Sequence, residues 1–175
     1  MIRNILVPTD GSDHAVKATT FAADIAAKYK ARMVLFHSLL VHVGSGEILG
    51  LLKAGQVSEA TQTELEHAAN MLARVQSVAP VGPKGIPLST DVLEQVGGDV
   101  LKSGETLARE HGAEEVSHIL TNGEPIQCIL RAIDDENIDL IVMGSRGLGD
   151  LEGLLVGSVS HKVGQLADCT VVTVK

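Results

Sequence analysis

The chain has 175 residues, 45% of them hydrophobic and only 2% aromatic, with no Trp and a formal net charge of −8 at neutral pH. That length suits one domain with a sizeable aliphatic core, while the acidic balance and the lack of any Lys or Arg run exclude nucleic acid and anionic membrane as partners. The two Cys, Cys128 and Cys169, form no CxxC pattern, so a disulfide framework is not expected and a reduced, cytoplasmic setting is.

Residues Ile2 to Val7 form a short apolar run that stops at the turn cluster Pro8-Thr9-Asp10-Gly11-Ser12, a buried strand ending in a loop. The run is too short and strand-like for a signal peptide, and no segment reaches bilayer length, so membrane insertion is not expected. Ala15, Ala18, Ala22, Ile25, Ala26 and Tyr29 recur at helical spacing, which predicts a helix over 13–30 with Ser12 or Asp13 as N-cap. Met33 to Leu40 is the second strand.

The stretch of about 41–90 reads as a helical insertion after the second strand. Glu47 to Lys53 is short and apolar. Ser58, Thr61, Leu65, Ala68, Leu72, Val75 and Ala79 step by three and four, which predicts a helix over 58–79; Val81 to Pro87 is a linker. The dry face of that helix must lie on the parent domain, on Ile48 to Leu52, or on another subunit. Residues 91–111 predict a further helix with Leu93, Val96, Val100, Gly104, Leu107 and His111 on one face, opened by Asp91 and Glu94 as a capping box. Gly97, Gly98 and Gly104 each weaken it by about 1 kcal/mol relative to Ala.

Val116 to Leu120 is a strand, and Glu124-Pro125 opens a helix that buries Ile126, Ile129, Leu130 and Ile133. Asp134-Asp135-Glu136 reads as its solvated end. Ile138 to Met143 is the clearest strand; a Gly-rich loop, a helix over 158–167 and the strand Thr170 to Val174 follow. Strands alternating with helices predict a single α/β domain over 1–175, a doubly wound parallel five-stranded sheet with helices on both faces. Ligands then bind beyond the carboxyl ends of the strands, where Asp10 and Gly144 fall.

Met143-Gly144-Ser145-Arg146-Gly147 follows a strand, and Gly157-Ser158 opens a helix. Gly144 and Gly147 permit positive φ and close backbone approach. The helix start offers unpaired N–H groups and a positive dipole end. Ser158 and Ser160 add hydroxyls and Arg146 a fixed charge, which together make a phosphate site. No P-loop is present, nor a G-x-G-x-x-G after the first strand. Asp10 either bonds nearby backbone or meets a ligand. His37, in an apolar strand, reads as a packed histidine; the other His residues show no metal-ligand spacing, and both Cys read as inert thiols.

The segments Ile5 to Ser12 and Asp139 to Gly147, with the spacing G-x2-G-x9-G-[S/T] met by Gly144, Gly147 and Gly157-Ser158, resemble the universal stress protein family and its ATP-binding branch. The resemblance implies an adenine nucleotide alpha hydrolase-like fold and ATP as ligand, with AMP and ADP as alternatives and a Mg or Mn ion carried by the phosphates. It implies that Pro8, Thr9 and Asp10 line the adenine and ribose end and that Ser38 meets adenine through its backbone. Met143 and Gly144 would flank the ribose and first phosphate. Arg146, Gly147, Gly157, Ser158, Val159 and Ser160 would hold the phosphates. It also implies a homodimer through the last strand, 170–174. The function expected is a stress-response regulator whose nucleotide state sets its choice of protein partner. A slow ATPase and an oligomeric scaffold with no nucleotide role are the alternatives.

Overall fold

The computed structural model describes residues 1–39, 43–55, 57–78, 85–86, 88–148 and 157–175. Predicted positions Leu40 and Ala79, and most of the linker 81–87, lie outside them, as does the side chain of Val75. Strand β1 (Asn4–Pro8) leads into helix α1 (Asp13–Tyr29) and strand β2 (Arg32–Leu39). A two-residue strand β3 (Val43–Gly44) precedes helices α2 (Ser45–Ala54) and α3 (Glu59–Val78), and its partner β4 (Gly85–Ile86) precedes α4 (Thr90–Glu110). Then come β5 (Val116–Asn122), α5 (Pro125–Asp135), β6 (Leu140–Gly144), α6 (Ser158–Leu166) and β7 (Thr170–Val174).

The main sheet has five strands in the order β5-β2-β1-β6-β7, every pair parallel. Its middle strands are apolar on both faces: Ile5, Leu6 and Val7 of β1 and Met33, Val34 and Leu35 of β2 are fully buried. Such strands need helices on both sides, and the core divides accordingly. Ala18, Ala22 and Ala26 of α1 and Leu101 and Ala108 of α4 cover one face, and Ile126, Ile129 and Ile133 of α5 and Val163 of α6 cover the other. The small alanines let α1 lie close to the sheet.

A third core belongs to the insertion. Leu65, Ala68 and Leu72 of α3 pack on Ile48 and Leu51 of α2 and on Val96 and Val100 of α4. The dry face of α3 is thus covered by the short apolar stretch and the parent helix together.

Local details depart from the sequence reading. The N-cap of α4 is Ser89, whose hydroxyl accepts from Val92 N, so the Asp91–Glu94 capping box does not form. Leu101 and Ala108 are buried in α4 where Leu107 is half-buried and His111 exposed. Gly97 lies flat against the sheet: a Cβ there would stand 2.5 Å from Leu120 Cδ1 and 3.0 Å from His37 Cδ2. Glu136 is not merely solvated at the end of α5 but forms an ion pair with Arg32. Ser12 caps α1 as expected, accepting from Ala15 N at 3.3 Å, and Glu124 caps α5 ahead of Pro125.

Candidate functional site

The chain runs outward from β1 through β2 to β5, then crosses back to β6 on the other side of β1. The order of strands therefore reverses between β1 and β6, and a crevice opens beyond their carboxyl ends. A cavity of about 350 Å³ lies there, within the range of small-molecule sites. Pro8, Thr9, Asp10, Ser38, Met143, Gly144, Arg146, Gly147, Gly157, Ser158, Val159 and Ser160 all line it. Segments far apart in the chain are brought together by the parallel topology alone.

Asp10 braces the crevice. Its Oδ1 accepts from Ser12 N at 3.0 Å and its Oδ2 from Leu148 N at 2.9 Å, so one carboxylate ties the turn after β1 to the loop after β6. Gly147 is Gly because of this tie: a Cβ would stand 2.5 Å from Asp10 Oδ2. Gly144 is Gly because α1 begins over it, and a Cβ would stand 2.9 Å from the backbone carbonyl carbon of His14. Neither adopts the positive φ that glycine permits. Close approach is what excludes a side chain at both.

Ser145, which the sequence reading passed over, is the junction of the loop. Its N–H donates to Val174 O at 2.7 Å, and its carbonyl accepts from Gly157 N at 2.6 Å and from the Ser160 hydroxyl at 3.1 Å. The Ser160 hydroxyl is thereby committed as a donor to backbone carbonyls, of Ser145 and of Gly157. It fastens α6 to the loop instead of pointing a donor at a ligand. The N-cap of α6 is Gly157, with ordinary extended dihedrals and no side-chain cap bond. The first N–H groups of α6 are therefore left for something else to satisfy.

Arg146 lines the same cleft as that helix start. Its Nε is buried and has no hydrogen-bond partner among the described residues. A buried guanidinium donor left unpaired is costly, and it lies in a cleft lined by the uncapped helix end. An unpaired guanidinium donor and an uncapped helix end are groups that an anion can satisfy. The described residues gather no cluster of His, Cys, Asp or Glu that could hold a metal.

At the other end, His37 Nδ1 lies 2.8 Å from Thr9 O. Burial pushes its pKa down, against smaller opposing effects of the Thr9 hydrogen bond and the Asp10 charge. The ring is therefore neutral at physiological pH and donates through Nδ1, leaving Nε2 as an acceptor. Ser38 Oγ donates to Gly123 O at 2.9 Å. Along β2, Arg32 N bonds Arg3 O, Met33 N bonds Glu115 O and Phe36 O accepts from Thr9 N. Even-numbered residues thus turn their backbone groups toward β1. By that alternation the N–H and C=O of Ser38 face the side of β1, beyond its last paired residue, Pro8.

Most of the remaining lining is apolar and came only with the structure: Phe36, Leu39, Pro125 and Ile129 from the main fold, Leu51, Leu65, Leu88, Leu93 and Val96 from the insertion and α4; Glu47 of α2 adds a carboxylate. The amphipathic period of α3 marked Leu65 as buried, but no sequence signal told which cavity it would wall.

The sequence matches the model of the Universal stress protein family over residues 1–175. Universal stress protein YxiE of Bacillus subtilis is 29% identical over 175 residues, covering 100% of both chains. Among solved structures, a universal stress protein in complex with cAMP aligns with TM-score 0.58 and 20% identity, covering 99% of this chain and 96% of its own. The universal stress protein of Archaeoglobus fulgidus in complex with dAMP aligns with TM-score 0.56 and 18% identity, covering 100% and 98%. Fold, crevice and full-length family match agree: this chain belongs to the universal stress protein family.

Proposed function

We propose that the protein binds an adenine nucleotide in the crevice between β1 and β6 and acts as a nucleotide-dependent stress-response regulator. The observation that carries this reading is that Arg146, whose buried Nε has no hydrogen-bond partner among the described residues, lines the same cleft as the uncapped N-terminus of α6. A phosphate there satisfies both at once. The outward N–H and C=O of Ser38 suit the adjacent acceptor and amine on the edge of adenine, and the apolar side chains around it suit the faces of the ring. Two relatives of the same fold were solved with cAMP and dAMP, which supports an adenosine phosphate as ligand.

The glycine spacing supports ATP as well as AMP or ADP. A Mg or Mn ion would ride on the phosphates of a longer nucleotide, since the described residues offer it no donor set. A regulator is favoured over an ATPase because Asp10, a carboxylate that lines the crevice, has both oxygens engaged by backbone N–H groups and is poorly placed to take a proton from water.

Heat-denaturing the purified protein and analysing the released small molecules by mass spectrometry tests ligand identity. An adenine nucleotide is expected. Calorimetry on stripped protein then compares AMP, ADP, ATP and adenosine, for wild type and for Arg146→Ala. The variant should weaken every phosphorylated ligand at least tenfold and adenosine little. Equal losses for AMP and adenosine would refute the placement of the phosphate at Arg146.

A further inference from the structure

The nucleotide reading leaves His37 without a task beyond packing. Its ring closes the carboxyl end of β2, on the face that Met33 and Leu35 turn to α1 and α4. Two of its edges are pinned. Nδ1 lies 2.8 Å from Thr9 O, and α4 passes so close on the other side that a Cβ on Gly97 would stand 3.0 Å from His37 Cδ2. A ring flip would break the Thr9 bond, so the direction of Nε2 is set before any ligand arrives.

The residue is only 7% exposed, and it lines the cleft. No described residue donates a hydrogen bond to Nε2. The Thr9 carbonyl needs the proton on Nδ1 and burial keeps the ring neutral, so Nε2 is held as an acceptor. A desolvated acceptor without a donor is costly, and a ligand that brings a donor to it gains accordingly. The next residue is Ser38, whose backbone N–H and C=O suit the edge of adenine. That carbonyl takes one hydrogen of the exocyclic amine and leaves the second unassigned. The phosphate belongs at the Arg146 end of the cleft, away from this pair.

We infer that His37 is a base-specificity residue: its Nε2 accepts the second hydrogen of the exocyclic amine of adenine, so that the amine is held at both hydrogens. A purine with a carbonyl oxygen in place of the amine sets acceptor against acceptor, at Ser38 O and at Nε2 alike. Thr9 prevents the ring from changing tautomer to accommodate it. Base selectivity is thus tied to the turn after β1. This inference rests on the nucleotide reading above.

The test uses His37→Asn, whose amide nitrogen stands where Nδ1 stands and can keep the Thr9 bond, while nothing replaces Nε2. Calorimetry on stripped full-length protein compares AMP with purine riboside monophosphate, which lacks only the amine, and with dAMP, which lacks one sugar hydroxyl. The lost hydrogen bond is worth about fivefold in affinity. The preference for AMP over purine riboside monophosphate should shrink by that factor in the variant, and the preference for AMP over dAMP should hold. An unchanged amine preference, which a merely structural role predicts, overturns the inference. So does a shrinking dAMP preference in its place, which puts the sugar at Nε2. Should the variant not fold, nitrogen-15 spectroscopy of the wild type decides. The Nε2 resonance should sit at a hydrogen-bonded position with AMP and at a non-bonded one with purine riboside monophosphate; equal positions overturn the inference and leave the nucleotide site standing. Failure of the wild type to bind AMP removes the nucleotide reading and this inference together.

Discussion

Asp10 shows how a residue can be read correctly by type and incompletely by role. An Asp in the turn after a strand was expected either to bond local backbone or to face a ligand. It bonds local backbone at Ser12 and distant backbone at Leu148, and it lines the cleft. The glycines were legible as a pattern but not as a cause, because a sequence does not distinguish positive φ from close approach. Gly147 yields to Asp10, and Gly144 yields to the start of α1. His37 was legible as a packed histidine; its tautomer and neutrality depend on Thr9 and on burial, which only the fold supplies. Since burial lowers its pKa from 6.5, the unfolded chain binds the proton first as pH falls. Stability is then fully present above about 6.5 and is lost below it, at a slope of at most about 1.4 kcal/mol per pH unit, until the folded-state value is passed. Urea midpoints at pH 7.5 and 5.5 should therefore fall less for His37→Gln than for wild type. Identical falls would mean that His37 does not set this slope.

At the scale of elements, α6 and the insertion carry the account. A nine-residue helix with Gly157 as its N-cap and no side-chain cap bond keeps its first N–H groups for an anion. Gly157→Asp places a carboxylate at the N-cap, where it would take those N–H groups for itself. Nucleotide affinity should fall at least tenfold while the melting temperature holds or rises slightly, read by calorimetry and thermal unfolding. Retained affinity would mean that the helix end does not hold the phosphate. Strands β1 and β6 were easy to read because each carries an uninterrupted apolar run, and α1 because its alanines keep one stripe. Helix α4 was harder. Its first half packs Val96 and Val100 on the insertion and its second half turns Leu101 and Ala108 to the sheet and α1, so no single stripe describes it. The docking of α3 on α2 and α4 was not legible either, because an amphipathic period names a dry face and not its cover.

At the scale of the molecule, the sheet ends at β7. Val171 leans to the α6 side and Val172 and Val174 to the α1 side, all half-buried. Thr170 N bonds Asp139 O and Ser145 N bonds Val174 O, so even-numbered residues of β7 face β6 and the N–H groups of Val171 and Thr173 face outward. An outward ladder of this kind suits pairing with a two-fold mate, and a homodimer through 170–174 is proposed on that ground. Light scattering at micromolar concentration should give twice the 18.3 kDa chain mass. Thr173→Pro, which removes an outward donor without touching the β6 side, should give the monomer. A monomeric wild type would contradict the proposal. Asp139 fastens the amino ends of β1 and β6 together, accepting from Arg3 N at 2.8 Å and Asn4 N at 3.0 Å. Those two bonds hold its pKa below 3.8, so the stabilisation is present above that value and lost as pH falls further. Asp139→Asn should lower the urea midpoint at pH 7, and its gap to wild type should narrow as pH falls below 3.8; a constant gap would assign the loss to something other than charge.

The central claim is that an adenosine phosphate is held between Arg146 and the start of α6. Amide hydrogen exchange with and without saturating AMP tests it most directly. Protection is expected at Gly144 to Leu148 and at Ser158 to Ser160, with a smaller effect at Ser38 and Leu39, and none at the outward amides of β7. Saturable AMP binding with unchanged exchange in 144–148 and 158–160 would contradict it.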